Sequence, residues 1–169
     1  MESVINKVDL KSIGRFIETL IYARKSGSTV YFIGNGGSAS TASHFANDLT
    51  IGTNSYEKPF RVISLTDNHS VMTAIANDFG YEEVFVRQLR VLGREGDVLV
   101  GISASGNSVN LIKAFDYAKS VGIKTIAITA FDGGNLKKIA DDGIHVPTDD
   151  KEYGPSEDVH IILDHLVGA

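Results

Sequence analysis

Two short loops carry most of the chemistry legible in this sequence of 169 residues. The first, Gly34-Asn35-Gly36-Gly37-Ser38-Ala39-Ser40, stands between an apolar run and a helical stretch. Its glycines permit positive φ and let a ligand approach the backbone, while Ser38 can cap the helix or offer its hydroxyl to an anion. The second, Gly101-Ile102-Ser103-Ala104-Ser105-Gly106-Asn107-Ser108, has the same setting. Three serines around a glycine at a helix start present hydroxyls and backbone N–H groups to one phosphate without needing a cation. Plainer readings stand beside these: a glycine turn kept for packing, and Ser108 as an ordinary N-cap. The first loop also satisfies the loose dinucleotide pattern G-x-G-x-x-A, with Asp67 as a ribose acceptor. The interval from Gly34 to Asp67 is longer than that pattern uses, and the chain has little room for a second reacting domain, so no nucleotide cofactor is expected. Just past the first loop, His44 and Asp48 are four apart and share one helix face, as a titrating pair beside the ligand or as a simple surface hydrogen bond.

These loops need a frame. Runs rich in β-branched residues at Thr29–Ile33, Arg61–Leu65, Asp97–Ile102, Lys124–Thr129 and Gly143–Val146 read as five buried strands. Helical stretches are expected at Leu10–Lys25, Ser38–Leu49, Val71–Asn77, Glu82–Val91, Ser108–Val121, Asn135–Ala140 and Pro155–Val167. Gly27 and Gly122 follow helices as C′ residues, and Pro155 with Glu157 and Asp158 marks a first turn. Continuous rather than alternating hydrophobicity calls for a sheet covered on both faces, an α/β class with a five-stranded parallel sheet in one domain spanning 1–169. Right-handed crossovers place every strand-to-helix loop at one sheet edge. Both serine and glycine loops then meet one ligand with a phosphate at one end and hydroxyls along its length. A sugar phosphate has that shape.

Composition removes other classes. The 43% hydrophobic content supports a real core. The net charge is −5 and no basic tract could follow a phosphate backbone, so nucleic acid is not an expected partner. There is no cysteine, which excludes disulfides, thiolate metal sites and a cysteine nucleophile. Met1 to Lys11 lacks the apolar stretch of a signal peptide and no run reaches membrane length, so a cytoplasmic protein with no membrane partner is expected.

Longer strings add a resemblance. GNGGSAS-x-x-x-HFA at Gly34–Ala46, AIANDFGYEEVF at Ala74–Phe85, GDVLVGISASGNS at Gly96–Ser108, DGG at Asp132–Gly134 and EDVH-x-x-x-x-H at Glu157–His165 resemble the phosphoheptose isomerases, a branch of the sugar isomerase (SIS) domain proteins. The resemblance runs in order through nearly the whole chain. It implies a flavodoxin-like core, a homotetramer with active sites between subunits, in which the helix at 10–25 would take part, and isomerisation of sedoheptulose 7-phosphate to D-glycero-D-manno-heptose 7-phosphate. The family's phosphate contacts fall on Ser103, Ser105 and Ser108, with Ala104 in place of a common hydroxyl residue. Its sugar contacts fall on Asn35, Gly36, Gly37, Ser38, Asn77 and Asp78, although Asp78 is equally well placed to form a turn.

The resemblance also bears on the acid, the base and a metal. It implies that His44, Asp48, Glu157 and His165 bind zinc or move protons, with two departures: Asp48 is one methylene shorter than the family's glutamate, and Glu157 stands for a neutral glutamine. Two imidazoles and two carboxylates suit zinc. Glu157 and His165 are eight residues apart, about 12 Å along an ideal helix, so both reach one ion only by leaning together, and Glu157 also reads as a first-turn dipole carboxylate. On this basis Asp48 is the proton-transferring base and His165 the acid, with His44 orienting the site or holding metal. His160 reads as a packing or subunit-contact residue, His69 as lining the mouth, and His145 has no assigned role. Against an enzyme stands a non-catalytic SIS protein that binds sugar phosphate or a partner protein.

Overall fold

A computed structural model describes residues 2–54 and 56–168; residues 1, 55 and 169 lie outside the description. The five apolar runs become β1 (Thr29–Gly34), β2 (Arg61–Ser64), β3 (Val98–Ser103), β4 (Lys124–Ala130) and β5 (Asp142–Val146), each within two residues of its expected bounds. All neighbours pair in parallel in the order β2-β1-β3-β4-β5. β1 and β3 are buried along their whole length, as runs without alternation require. β2 departs from the expectation of a fully buried strand: it is the sheet edge, and Arg61 and Ile63 are exposed.

Among the described residues there are eight α-helices: α1 (Glu2–Ile5), α2 (Leu10–Ser26), α3 (Gly37–Asn47), α4 (His69–Phe79), α5 (Val86–Leu92), α6 (Val109–Ser120), α7 (Gly134–Ile139) and α8 (Tyr153–Gly168). Successive strand side chains point to opposite faces, and the core divides accordingly. On one face Phe16 and Leu20 of α2, Phe45 of α3 and Leu163 of α8 pack on Val30, Phe32, Val100 and Ile128. On the other, Leu89 of α5, Phe115 of α6 and Leu136 of α7 pack on Ile33, Leu99 and Ala127.

Several ends differ from the periodicity reading: the helix expected from Glu82 begins only at Val86, after a 3₁₀ turn at Tyr81–Glu83, and α4 extends two residues beyond its expected bounds at each end. The short α1 was not expected. α8 begins two residues before Pro155, because Tyr153 and Gly154 already turn, and so Glu157 is past the first turn. The helix expected to reach Leu49 stops at Asn47 and widens into a π-helical turn, Asp48–Gly52, closed by Thr53 N–H donating to the Asp48 carbonyl at 3.0 Å. Such turns recur at functional sites. The glycine cap at the end of α2 forms as expected: Gly27 has φ 76° and Ser28 N–H donates to the Ala23 carbonyl at 3.0 Å.

The strand order fixes where a ligand can sit. β1 leads into α3 on one face and its neighbour β3 leads into α6 on the other, which makes their carboxyl ends the topological switch point. Gly34 pairs with Ile102, so the two loops leave the sheet side by side.

Candidate functional site

The serine-rich loop is built before any ligand arrives. Ser103, buried at the end of β3, accepts a hydrogen bond on Oγ from Gly106 N–H at 3.1 Å, and Ser105 Oγ accepts one from Asn107 N–H at 3.4 Å. Ser108 occupies the N-cap position of α6, yet its hydroxyl makes no capping bond and is left to the loop. Ala104 is buried in the core. The DGG segment braces the loop from behind. Leu136 N–H donates to the Gly106 carbonyl at 2.8 Å, Asn135 N–H donates to Asn107 Oδ1 at 3.1 Å, and Gly106, at φ 63°, lies so close that a Cβ there would be 2.0 Å from the Gly133 oxygen.

The glycine loop lies beside it. Gly36, with φ 55°, is the N-cap of α3, so Ser38 is a buried first-turn residue rather than the cap. Gly36 and Gly37 are exposed. Asn35 reaches across the switch point: its Nδ2 donates to Asn110 Oδ1 at 3.0 Å, and Asn110 Nδ2 returns a bond to Asn35 Oδ1 at 2.9 Å. The Tyr81 hydroxyl donates to the same Asn35 oxygen at 2.9 Å. This amide pair sets the spacing of the two loops. Asn110 and Tyr81 were both missed by sequence reasoning; a buried amide on the apolar face of α6 was the available signal. Asn77 and Asp78 are exposed at the end of α4 and bonded to each other at 2.8 Å, with no hydrogen bond to either loop among the described residues. Asp67 accepts from Ser43 and Thr66 and is tied to α3. His69 is exposed at the start of α4.

Further along, α3 and α8 run side by side in the same direction: Glu157 lies against Gly37 at one end, and Gly168 against Asp48 at the other. Near the far end four side chains converge. His44 Nε2 is 3.2 Å from His165 Nε2, 3.4 Å from Asp48 Oδ2 and 3.6 Å from Asp164 Oδ2. Ligand atoms of all four lie within 4.8 Å of one another. Four tetrahedral donors around zinc, each about 2.0–2.1 Å from the ion, are about 3.3 Å apart, so the spacing fits such an ion. His44 and His165 are exposed on one side, whereas Asp164 is fully buried. Burial pushes the Asp164 carboxyl up to about 6; Asp48 adds to that rise while His44 and His165 oppose it.

The SIS domain family model matches residues 1–130. A phosphoheptose isomerase of Helicobacter pylori (strain P12) is 44% identical over 157 residues, which cover 93% of this chain and 79% of that protein. The chain belongs to the phosphoheptose isomerase family. Two solved phosphoheptose isomerases share its fold. The one from Neisseria gonorrhoeae has a TM-score of 0.84 at 34% identity, covering 94% of this chain and 83% of that one. The one from Francisella tularensis has a TM-score of 0.86 at 28% identity, covering 98% and 87%.

Within that family frame, one expected member of the metal-ligand group stands elsewhere. Glu157 does not join His44, Asp48 and His165, because α8 runs parallel to α3 and Glu157 sits two turns back. Its carboxylate lies over Gly37, where a Cβ would be 2.6 Å from either oxygen, and it faces the first turn of α3 rather than that of its own helix. Asp164 takes the fourth place in the group. Its signal was a carboxylate on the apolar stripe of Val159, His160 and Leu163.

His160, on the same stripe, is buried, and burial pulls its imidazole down to about 4. A histidine whose charged form is disfavoured by folding costs stability as pH falls: below the ordinary value near 6.5 the unfolded chain takes up a proton that the folded chain refuses until about pH 4. Between pH 7 and pH 4 the parent protein is expected to lose about 3 kcal/mol more than a His160→Leu variant, by chemical denaturation at both pH values. Equal losses would show that His160 titrates normally.

Proposed function

We propose that this chain interconverts sedoheptulose 7-phosphate and D-glycero-D-manno-heptose 7-phosphate. The observation that carries the reading is the pair of loops joined by Asn35 and Asn110 at the switch point, with an acid–base cluster further along α3, in a chain of this family. Ser103, Ser105, Ser108 and the first turn of α6 hold the phosphate, and Asn35 with the Gly36–Ser38 turn holds sugar hydroxyls. Phosphate binding supplies remote binding energy that fixes the reacting carbons. Asp48 takes a proton from C1 of the ketose. The electron pair moves to the C2 carbonyl oxygen, which His165 protonates, giving an enediol; loss of the O1 proton and return of a proton to C2 complete the aldose. His44, between the two, orients them.

Zinc is the proposed cofactor, with His44, His165 and one carboxylate of the cluster to hold it. When bound it would supply the Lewis-acid polarisation of the sugar oxygens that His165 otherwise supplies by proton donation.

The proposed assembly is a homotetramer with sites between subunits. Leu10 and Tyr22 on α2 and Val91 and Leu92 around the end of α5 are exposed apolar side chains that such contacts would cover. An open, mostly apolar groove of about 1040 Å³ along the β2 edge, lined by Val62, Ile75, Phe79 and Val91, supports the same reading. Asn77 and Asp78, exposed beside it, would meet a neighbouring subunit's sugar. No described helix is long and apolar enough to cross a membrane. The proposed location is the cytoplasm.

The test incubates purified protein with sedoheptulose 7-phosphate, with and without zinc, and follows the aldose product. Turnover in a sample with a tetramer's mass by light scattering is the expected result. Tight binding of the sugar phosphate with no turnover would instead mark a non-catalytic regulator.

A further inference from the structure

We infer that Asn110 and Tyr81 are positioning residues: through their bonds to Asn35 they make its side chain a donor only, with one N–H kept for an accepting oxygen of the sugar. The inference deepens the proposed activity and rests on that reading for Asn35 as a sugar contact.

The orientation is forced from the backbone outward. Leu111 N–H, in the first turn of α6, lies 3.0 Å from Asn110 Oδ1 as well as 3.1 Å from the Ser108 carbonyl. A backbone N–H can only donate, so the Asn110 atom that faces it is the oxygen and the amide is not reversible. Asn110 Nδ2 then donates to Asn35 Oδ1 at 2.9 Å, and Asn35 Nδ2 is left to donate to Asn110 Oδ1 at 3.0 Å. The Tyr81 hydroxyl completes the set by donating to the same Asn35 oxygen at 2.9 Å. Tyr81 is placed independently of the two loops. It stands in the 3₁₀ turn Tyr81–Glu83, which Lys113 of α6 holds through Glu83 Oε1 at 3.0 Å.

A side-chain amide has two acceptor positions and two N–H groups. Both acceptor positions of Asn35 are filled, and one N–H goes to Asn110. The second N–H has no partner among the described residues. Asn35, Tyr81, Ser108 and Val109 line one open hollow of about 340 Å³, so a single ligand can meet Asn35 with its sugar and Ser108 with its phosphate. A free amide could turn either end to that ligand. The locked one takes only an oxygen that accepts, and it loses no rotational freedom when the ligand arrives.

The experiment uses the full chain and three measurements. Calorimetry gives the affinity for sedoheptulose 7-phosphate and for inorganic phosphate, and NMR of ligand-free protein labelled with ¹⁵N-asparagine follows the side-chain amides. Parent, Asn35→Ala, Asn110→Ala, Tyr81→Phe and the two double variants that include Asn35→Ala are compared. Asn110→Ala is expected to weaken sugar phosphate binding about tenfold and Tyr81→Phe about threefold, with inorganic phosphate within about twofold of the parent in both. Combined with Asn35→Ala, neither change is expected to cost more than about a further twofold, because each acts through Asn35. The Asn35 amide signals, identified by their absence in Asn35→Ala, are expected to shift in both single variants. Tyr81 is 53% exposed, so Tyr81→Phe carries the test if Asn110→Ala fails to fold. Undiminished effects in the Asn35→Ala background, an equal loss of inorganic phosphate, unmoved Asn35 signals, or a parent that binds the sugar phosphate no better than phosphate overturns the inference. A parent that binds sedoheptulose 7-phosphate with the expected differences yet fails to isomerise it would refute the proposed activity and leave this positioning role standing.

Discussion

Replacing Asp48 with asparagine is expected to lower kcat on sedoheptulose 7-phosphate by about 10²–10⁴ while KM stays within about tenfold of the parent value. The split follows from geometry. Asp48 stands where α3 opens into the π-helical turn, 3.4 Å from His44 and more than two turns from the glycine loop that starts the helix. Phosphate and sugar contacts at the loops are untouched by the change, so binding persists while proton abstraction fails. An amide has the carboxylate's shape but cannot take up the proton from C1. The fold should tolerate it, since Asp48 is partly exposed and, among the described residues, its one side-chain hydrogen bond is from Asn47 at 2.9 Å. Steady-state kinetics with bound zinc measured in parallel decides the matter. Near-normal kcat removes the base assignment, and loss of zinc along with activity would make Asp48 a ligand instead.

Gly106→Ala is expected to destabilise the protein by about 3–5 kcal/mol and to raise KM for any sugar phosphate at least tenfold. Two independent costs add here. Gly106 has φ 63°, a conformation that residues with a Cβ adopt only under strain, and the new methyl would meet the Gly133 carbonyl carbon at 2.6 Å as well as its oxygen. Neither neighbour is a flexible side chain that could move away. The displacement would break the bonds from Gly106 N–H to Ser103 and from Leu136 N–H to the Gly106 carbonyl, so the serine hydroxyls would lose their common aim. Gly14 is the control. It lies in α2 with nothing within 4 Å of a Cβ, and Gly14→Ala is expected to be neutral or stabilising by about 0.5–1 kcal/mol. Urea denaturation of the two variants measures the contrast, and equal effects would show that crowding against Gly133 does not matter.

The features legible in the sequence are those governed by neighbours in the chain. Five β-branched runs without alternation announced a sheet covered on both faces, and they form within two residues of where they were expected. Gly27 stopped α2 as expected, because positive φ is a property of one residue and its immediate turn, whereas the cap of α3 fell to Gly36 rather than to Ser38. The two loops were recognisable for the same reason. Their meeting at one edge followed from the handedness of crossovers, and the pairing of Gly34 with Ile102 places them side by side.

What depended on distant parts of the chain could not be read this way. Hydrophobicity does not say which strand will be outermost, so Ile63 read as core and lies exposed on the edge strand β2. Asn110 went unnoticed in the sequence because its partner, Asn35, lies 75 residues earlier. The acid–base group shows the limit most clearly. Spacing put His44 and Asp48 on one face, but only the parallel packing of α8 on α3 brought His165 to them, left Glu157 two turns away against Gly37, and turned the buried Asp164 toward His44. Helical periodicity fixes which residues share a face; the direction and register of two packed helices fix which of those faces meet, and that is set by the whole core rather than by any local stretch.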